Sequence, residues 1–168
     1  MVRPLPRLEG GRELMEGAGV DPEALRRTLA DLGWINRRLG GVRVVLRHLR
    51  RLLPGLPRPC RILDVGTGYA DIPRAVARWA RRQRLPLAIE AVDRHPQIVR
   101  LAQAASRDYP EISVRTAEAT ALPYPPGSFH VALASLLLHH MEGDGPVRLL
   151  AELDRVASRA VLVNDLRR

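Results

Sequence analysis

Three clusters of residues in this chain have the types and spacing to do chemistry. The first is Asp64-Val65-Gly66-Thr67-Gly68-Tyr69-Ala70-Asp71, placed between a short apolar run and a helical pattern. Its glycines would let a ligand approach the backbone closely, although a Gly-x-Gly turn alone serves equally well as a tight strand-to-helix connection. The acids around it narrow the choice. A dinucleotide fingerprint wants glycine where this chain has Asp71, and rests a pyrophosphate on the helix N-terminus. Asp64 and Asp71 would repel that pyrophosphate at short range; they suit a ligand with cationic groups. The second cluster is Asp93, 25 positions after Gly68. That is close to the roughly 20-residue offset of an acid that accepts from both ribose hydroxyls, the alternative being a solvated loop acid. The third is Glu118-Ala119, where a carboxylate or backbone group could meet an exocyclic adenine amine, with Leu122 bordering the ring. An ammonium, a sulfonium, a ribose and an adenine without phosphate together describe S-adenosyl-L-methionine.

These clusters fall at the ends of regularly spaced elements. Residues 1–20 are rich in Gly, Pro and charge and read as a flexible tail. Asp21-Pro22-Glu23 has the form of a helix start, and Gly40-Gly41 closes that helix. A second helix follows, with Val42, Val45, Leu46, Leu49, Leu52 and Leu53 on one face and Arg43, Arg47, Arg50 and Arg51 on the other. Pro54 to Pro59 breaks it, so 21–58 is a helical segment and 59–168 the core domain. The core alternates strand and helix. Strands are expected at Arg61–Val65, Leu87–Val92, Ile112–Thr116, Phe129–Ala134 and Ala160–Val163. The helices between them carry Ile72 to Ala80, Ile98 to Ala105 and Val147 to Val156. Such alternation predicts an α/β fold, a Rossmann-like doubly wound parallel sheet of about five strands.

Composition limits the partners. All 27 basic residues are arginine, and the net charge is +9. A nucleic-acid surface selected for charge would mix Lys with Arg, and 4% aromatic residues leave few platforms for stacking bases. Both argue against a nucleic-acid partner and for a solvated arginine face. The longest apolar run, Val131 to Leu138, is too short to span a bilayer, and the N-terminus has no secretory pattern. The single Cys60 has no disulfide partner within the chain; a cytoplasmic location is expected, with no metal at the site.

The runs ILDVGTGYADIP, AVDRHP and AEATALPYPPGSFHVALASLLLHH resemble motifs I to III of the class I S-adenosylmethionine-dependent methyltransferases. The resemblance is to the small-molecule, ubiquinone/menaquinone-biosynthesis type. It is nearer still to a bacterial group with INRRLGG before the first strand and VLVNDLRR at the fifth, and it covers roughly 21–168. It implies that Asp64, Gly66 and Gly68 hold the methionine part of the cofactor and that Asp93, with Arg94 beside it, binds the ribose. Glu118 and Ala119 would meet the adenine, and Ser135 would line the pocket beyond the fourth strand. Three departures stand out. Ala70 replaces a third glycine and is expected to narrow the approach to the cofactor. His130 replaces an acid at the fourth strand. The family's usual helix and antiparallel hairpin after the fifth strand are not expected here, which would leave that strand as an apolar edge inviting a second copy.

His139 and His140 follow the fourth strand, where a methyl acceptor would sit. A neutral imidazole there could take the acceptor's proton; equally, these histidines could cap a helix or shape the pocket. Methyl transfer to a small molecule is the leading expectation. The alternatives are a cofactor-binding remnant or partner subunit without turnover, and nucleic-acid methylation resting on the arginine-rich helix.

Overall fold

The computed structural model describes Arg27 and residues 40–165. The tail and, Arg27 excepted, the helix expected from Asp21 lie outside the described residues. Helix α1 (Gly41–Leu52) buries Val45 and Leu49 and exposes Arg43, Arg47, Arg50 and Arg51, as its periodicity requires. A short 3-10 turn, Leu53–Gly55, ends it at the proline-rich break and buries Leu53.

Five strands follow: β1 (Cys60–Val65), β2 (Leu87–Asp93), β3 (Ile112–Thr116), β4 (Phe129–Ser135) and β5 (Ala157–Asn164). Helix α2 (Asp71–Arg82) joins β1 to β2, α3 (Pro96–Ala105) joins β2 to β3, and α4 (Gly145–Val156) joins β4 to β5. Every ladder is parallel and the strand order is β3-β2-β1-β4-β5. From β1 the chain winds outward one way through β2 and β3, then returns to β4 on the other side. That reversal opens a crevice beyond the carboxyl ends of β1 and β4, the position where such sheets bind ligands.

Alternation along the strands sorts the core into two layers. Ile62, Ile89, Val131 and Leu133 pack against Val45 and Leu49 of α1 and Val76 of α2, while Ala91 and Val114 meet Val99 and Ala102 of α3. On the opposite face, Leu63, Val65, Val92 and Ala132 pack against Leu149, Leu153 and Val156 of α4. Each fully buried leucine among these contributes roughly 1.5–3 kcal/mol.

Element ends differ slightly from the sequence expectation. β5 starts at Ala157, three residues early, because α4 passes into it without a loop and Ala157 pairs with Phe129 across an irregularity before Val131. Among the described residues β5 pairs only with β4, so it forms a sheet edge with Val163 on the exposed side. No described helix is long and apolar enough to cross a membrane.

Candidate active site

The turn after β1 is pinned to the end of β2. The amides of Gly66 and Thr67 both donate to the Val92 carbonyl at 2.9 Å, and the Gly68 amide donates to Asp93 Oδ2 at 3.0 Å. Asp93 Oδ1 accepts the amide of His95 at 3.1 Å, which opens α3. One carboxylate thus ties the glycine turn to the next helix. Each of its oxygens keeps a second lone pair for a hydroxyl donor.

Gly66 and Gly68 have separate roles. Both adopt positive φ, at 71° and 54°. A Cβ on Gly66 would stand 2.8 and 2.9 Å from the two Cδ atoms of Leu137, whereas one on Gly68 would meet nothing within 4 Å among the described residues. Close approach at Gly66 is therefore made by a side chain from the loop after β4, and the space over Gly68 is the part open to a ligand. Ala70 corrects a further expectation. It holds a left-handed conformation at φ 54°, but its methyl is fully buried beside Ala91, Val99, Ala102 and Val114. It faces the protein core and does not narrow the ligand side of the turn.

Asp64 is buried at 2% exposure beneath this turn, where its Oδ2 accepts from Thr67 Oγ1 at 2.7 Å. Burial pushes its carboxyl from the usual 3.8 up to about 7; the Thr67 hydroxyl opposes this, and the nearby Asp71 and Asp93 charges add to it. Asp71 is also buried, in the first turn of α2, where a carboxylate complements the positive end of the helix. Burial above all, with a smaller contribution from the Asp71 and Asp93 charges, leaves Asp64 carrying only part of its charge near neutral pH, less than a full pair of charges at Asp64 and Asp71 implies. A cation placed among them would restore it. This set of acceptors, with the open face of Gly68, fits the ammonium and ribose of S-adenosylmethionine.

The loops after β3 and β4 complete the rim. The Ala117 amide donates to the Asp93 carbonyl at 3.1 Å, setting Glu118 and Ala119 beside the end of β2; Glu118 is exposed, as is Arg94. Arg155 of α4 holds the continuation of this loop. Its guanidinium donates to the carbonyls of Tyr124 at 2.6 Å and Leu122 at 2.9 Å. Glu152 accepts the Leu122 amide at 2.6 Å and pairs with Arg155 at 2.7 Å. Leu122 is buried. Ser135 ends β4 with its Oγ accepting from Asn164 Nδ2 at 3.0 Å. His139 and His140 lie in a 3-10 turn, Leu138–His140, with ring centroids 3.9 Å apart. The structure therefore gathers Asp64, Gly68 and Asp93 into one cradle, puts Glu118 and Ala119 on its rim, and sets Ser135 and the histidines over β4.

His130 is not part of this end of the sheet. Its Nδ1 accepts the Arg61 amide at 2.8 Å, near the start of β1, and desolvation followed by Arg61 and Arg159 lowers its pKa. An acid replaced there removes nothing from the cradle. Sequence reasoning missed Thr67, Leu137, Asn164 and Asp165. Asn164-Asp165 had a usable signal, a polar pair closing an apolar strand at the ligand end; Leu137 sits inside a leucine run and had none.

A five-stranded parallel sheet flanked by helices, with its glycine turn at the switch point, defines a Rossmann-like α/β fold. A profile for the methyltransferase domain matches residues 62–159, and the chain belongs to that family. Among solved structures it is similar to a SAM-dependent methyltransferase from Aquifex aeolicus, with 21% identity and a TM-score of 0.61 over 82% of this chain and 67% of that one. It also resembles the [4+2]-cyclase SpnF, with 28% identity and a TM-score of 0.51 over 58% of this chain and 35% of that one. A third likeness is to the citrinin polyketide synthase CMeT domain, with 21% identity and a TM-score of 0.59 over 68% of this chain and 32% of that one. The chain thus spans about a third of the length of the latter two proteins. No curated protein sequence matches it.

Proposed function

We propose that this chain binds S-adenosyl-L-methionine and directs transfer of its methyl group to a small-molecule acceptor. The observation that carries the reading is the bond from the Gly68 amide to Asp93, which joins the open turn to the acid that would take the ribose. When bound, S-adenosylmethionine supplies a methyl group on a cationic sulfur. The chain's residues do the rest. Asp64 would meet the ammonium, Asp93 with Arg94 nearby the ribose, and Glu118 and Ala119 the adenine; Ser135 would line the pocket. Gly66, filled against by Leu137, would shape the turn without touching the ligand. Because methyl transfer is an in-line displacement, holding donor and acceptor in line supplies much of the rate. His139 or His140 would accept a proton from an oxygen or nitrogen acceptor.

Calorimetry with S-adenosylmethionine, S-adenosylhomocysteine and NAD tests this directly. Binding of the first two and not the third is expected, with Asp93→Asn weakening both. Preference for NAD, or an Asp93→Asn chain that binds as tightly as wild type, would overturn it. The likeness to a cyclase favours keeping one second reading: cofactor binding without methyl transfer, since one fold hosts several chemistries. Conversion of S-adenosylmethionine to S-adenosylhomocysteine by the chain separates the two.

A further inference from the structure

The last two residues of the described β5 end grip the loop that leaves β4. The Asn164 carbonyl accepts the Leu136 amide at 2.8 Å, and the Asn164 side chain donates to Ser135 Oγ. Asp165 Oδ2 accepts the Leu138 amide at 2.7 Å, while Oδ1 lies 2.7 Å from His139 Nδ1. Leu136, between these contacts, is held at φ 55°. A left-handed leucine persists only where its surroundings over-determine it, and such strain concentrates at functional sites.

We propose that Asp165 is a positioning residue that fixes the tautomer of His139 and makes His139 a proton acceptor of this site. This rests on the methyl-transfer reading above. The carboxylate is anchored at both oxygens, one on a backbone amide and one on the ring, so it cannot rotate away. The side chains of His139 and Asp165 are only 22% and 14% exposed, and a hydrogen bond so shielded from water is strengthened. An ionised carboxylate can only accept. The neutral ring must therefore carry its hydrogen on Nδ1, which leaves the lone pair on Nε2. The same loop reaches the cofactor turn through Leu137, whose side chain packs on Gly66. His139 is two residues from that contact.

A lone pair on the acceptor oxygen or nitrogen forms a bond to the methyl carbon, and the carbon–sulfur bond breaks with its electrons left on sulfur, which becomes a neutral thioether. The acceptor's proton passes to Nε2 of His139. The resulting imidazolium stands against the Asp165 carboxylate until the proton leaves to solvent.

Asp165→Asn tests the assignment through the identity of the protonated ring nitrogen. The Leu138 amide needs an acceptor, so the oxygen of Asn would stay on it and the amide NH2 would turn toward His139 Nδ1. The ring would then have to accept there and carry its hydrogen on Nε2. Nitrogen-15 imidazole spectra of the full chain, with His139 assigned by the signal lost in His139→Gln, should show the Nδ1–H form in wild type and the Nε2–H form in Asp165→Asn. An Nε2–H form in wild type, or the same tautomer in both chains, overturns the proposal. Should Asp165→Asn not fold, the wild-type tautomer alone decides. Conversion of S-adenosylmethionine to S-adenosylhomocysteine by the wild-type chain reads the methyl-transfer proposal separately, because its absence leaves the tautomer result intact.

Discussion

Replacing Asp64 with Asn should make the protein more stable and a poorer ligand binder at the same pH. The carboxyl is 2% exposed and burial raises it from 3.8 to about 7. The native state therefore holds this proton to a higher pH than the unfolded chain does. Stability contributed by the protonated form is lost as pH rises from about 4 to about 7 and is flat above that. Each pH unit of displacement is worth about 1.4 kcal/mol, so this one group should make wild type about 2–3 kcal/mol less stable near pH 8 than near pH 5. Asparagine keeps the shape and the Thr67 hydroxyl bond without the charge, so the Asp64→Asn chain should lack that part of the pH slope. Near pH 8 it should exceed wild type by about 2–4 kcal/mol. It should also lose a charge-assisted hydrogen bond to the ligand's ammonium, worth roughly 1.5–3 kcal/mol, or about 10- to 100-fold in affinity. Urea denaturation of both chains at the two pH values gives the first quantity, and calorimetry with S-adenosylhomocysteine near pH 8 gives the second. Near pH 6.5, wild-type binding should in addition release part of a proton, visible as a heat that depends on the buffer. Parallel stability–pH curves for the two chains would refute the account of Asp64, and equal affinity would remove it from the site.

The two glycines of the turn should respond differently to alanine. Gly66→Ala must displace Leu137 at 2.8 Å and should cost about 1–3 kcal/mol in denaturation. Gly68→Ala, which meets none of the described residues within 4 Å, should cost about 1 kcal/mol from backbone alone while weakening S-adenosylhomocysteine binding in calorimetry. Ala70→Gly relieves a left-handed alanine, about 1–2 kcal/mol, and gives up a buried methyl of about 0.8 kcal/mol; its denaturation midpoint should stay within about 1 kcal/mol of wild type. Arg155→Ala frees the carbonyls of Leu122 and Tyr124, so amide exchange should accelerate in residues 118–124 and not in the β1 core, with a matching loss of ligand affinity.

The strand–helix alternation, the glycine turn at the end of β1 and the spacing to Asp93 are legible in the order of residues alone. All three depend on neighbours along the chain: apolar periodicity, local turn chemistry and the length of one strand–helix–strand unit. The same pattern placed α1 correctly, because Val45 and Leu49 recur at one helical turn against arginines on the other face. What that pattern could not supply was decided by contacts between elements far apart in the chain. Ala70 reads as an obstruction until α3 is folded over it, and its methyl then lies in the core. His130 reads only as an acid replaced at the fourth strand until β4 is laid parallel to β1, which sets it beside the start of β1, at the end of the sheet away from the glycine turn. Asp64 and Asp71 read as two full charges until the turn closes and burial pushes one carboxyl to about 7. Asp165 reads as the end of a strand until β5 pairs with β4 and sets it 2.7 Å from His139. Burial and long-range register are properties of the packed sheet, and no local pattern encodes which distant residue fills the space beside a given atom.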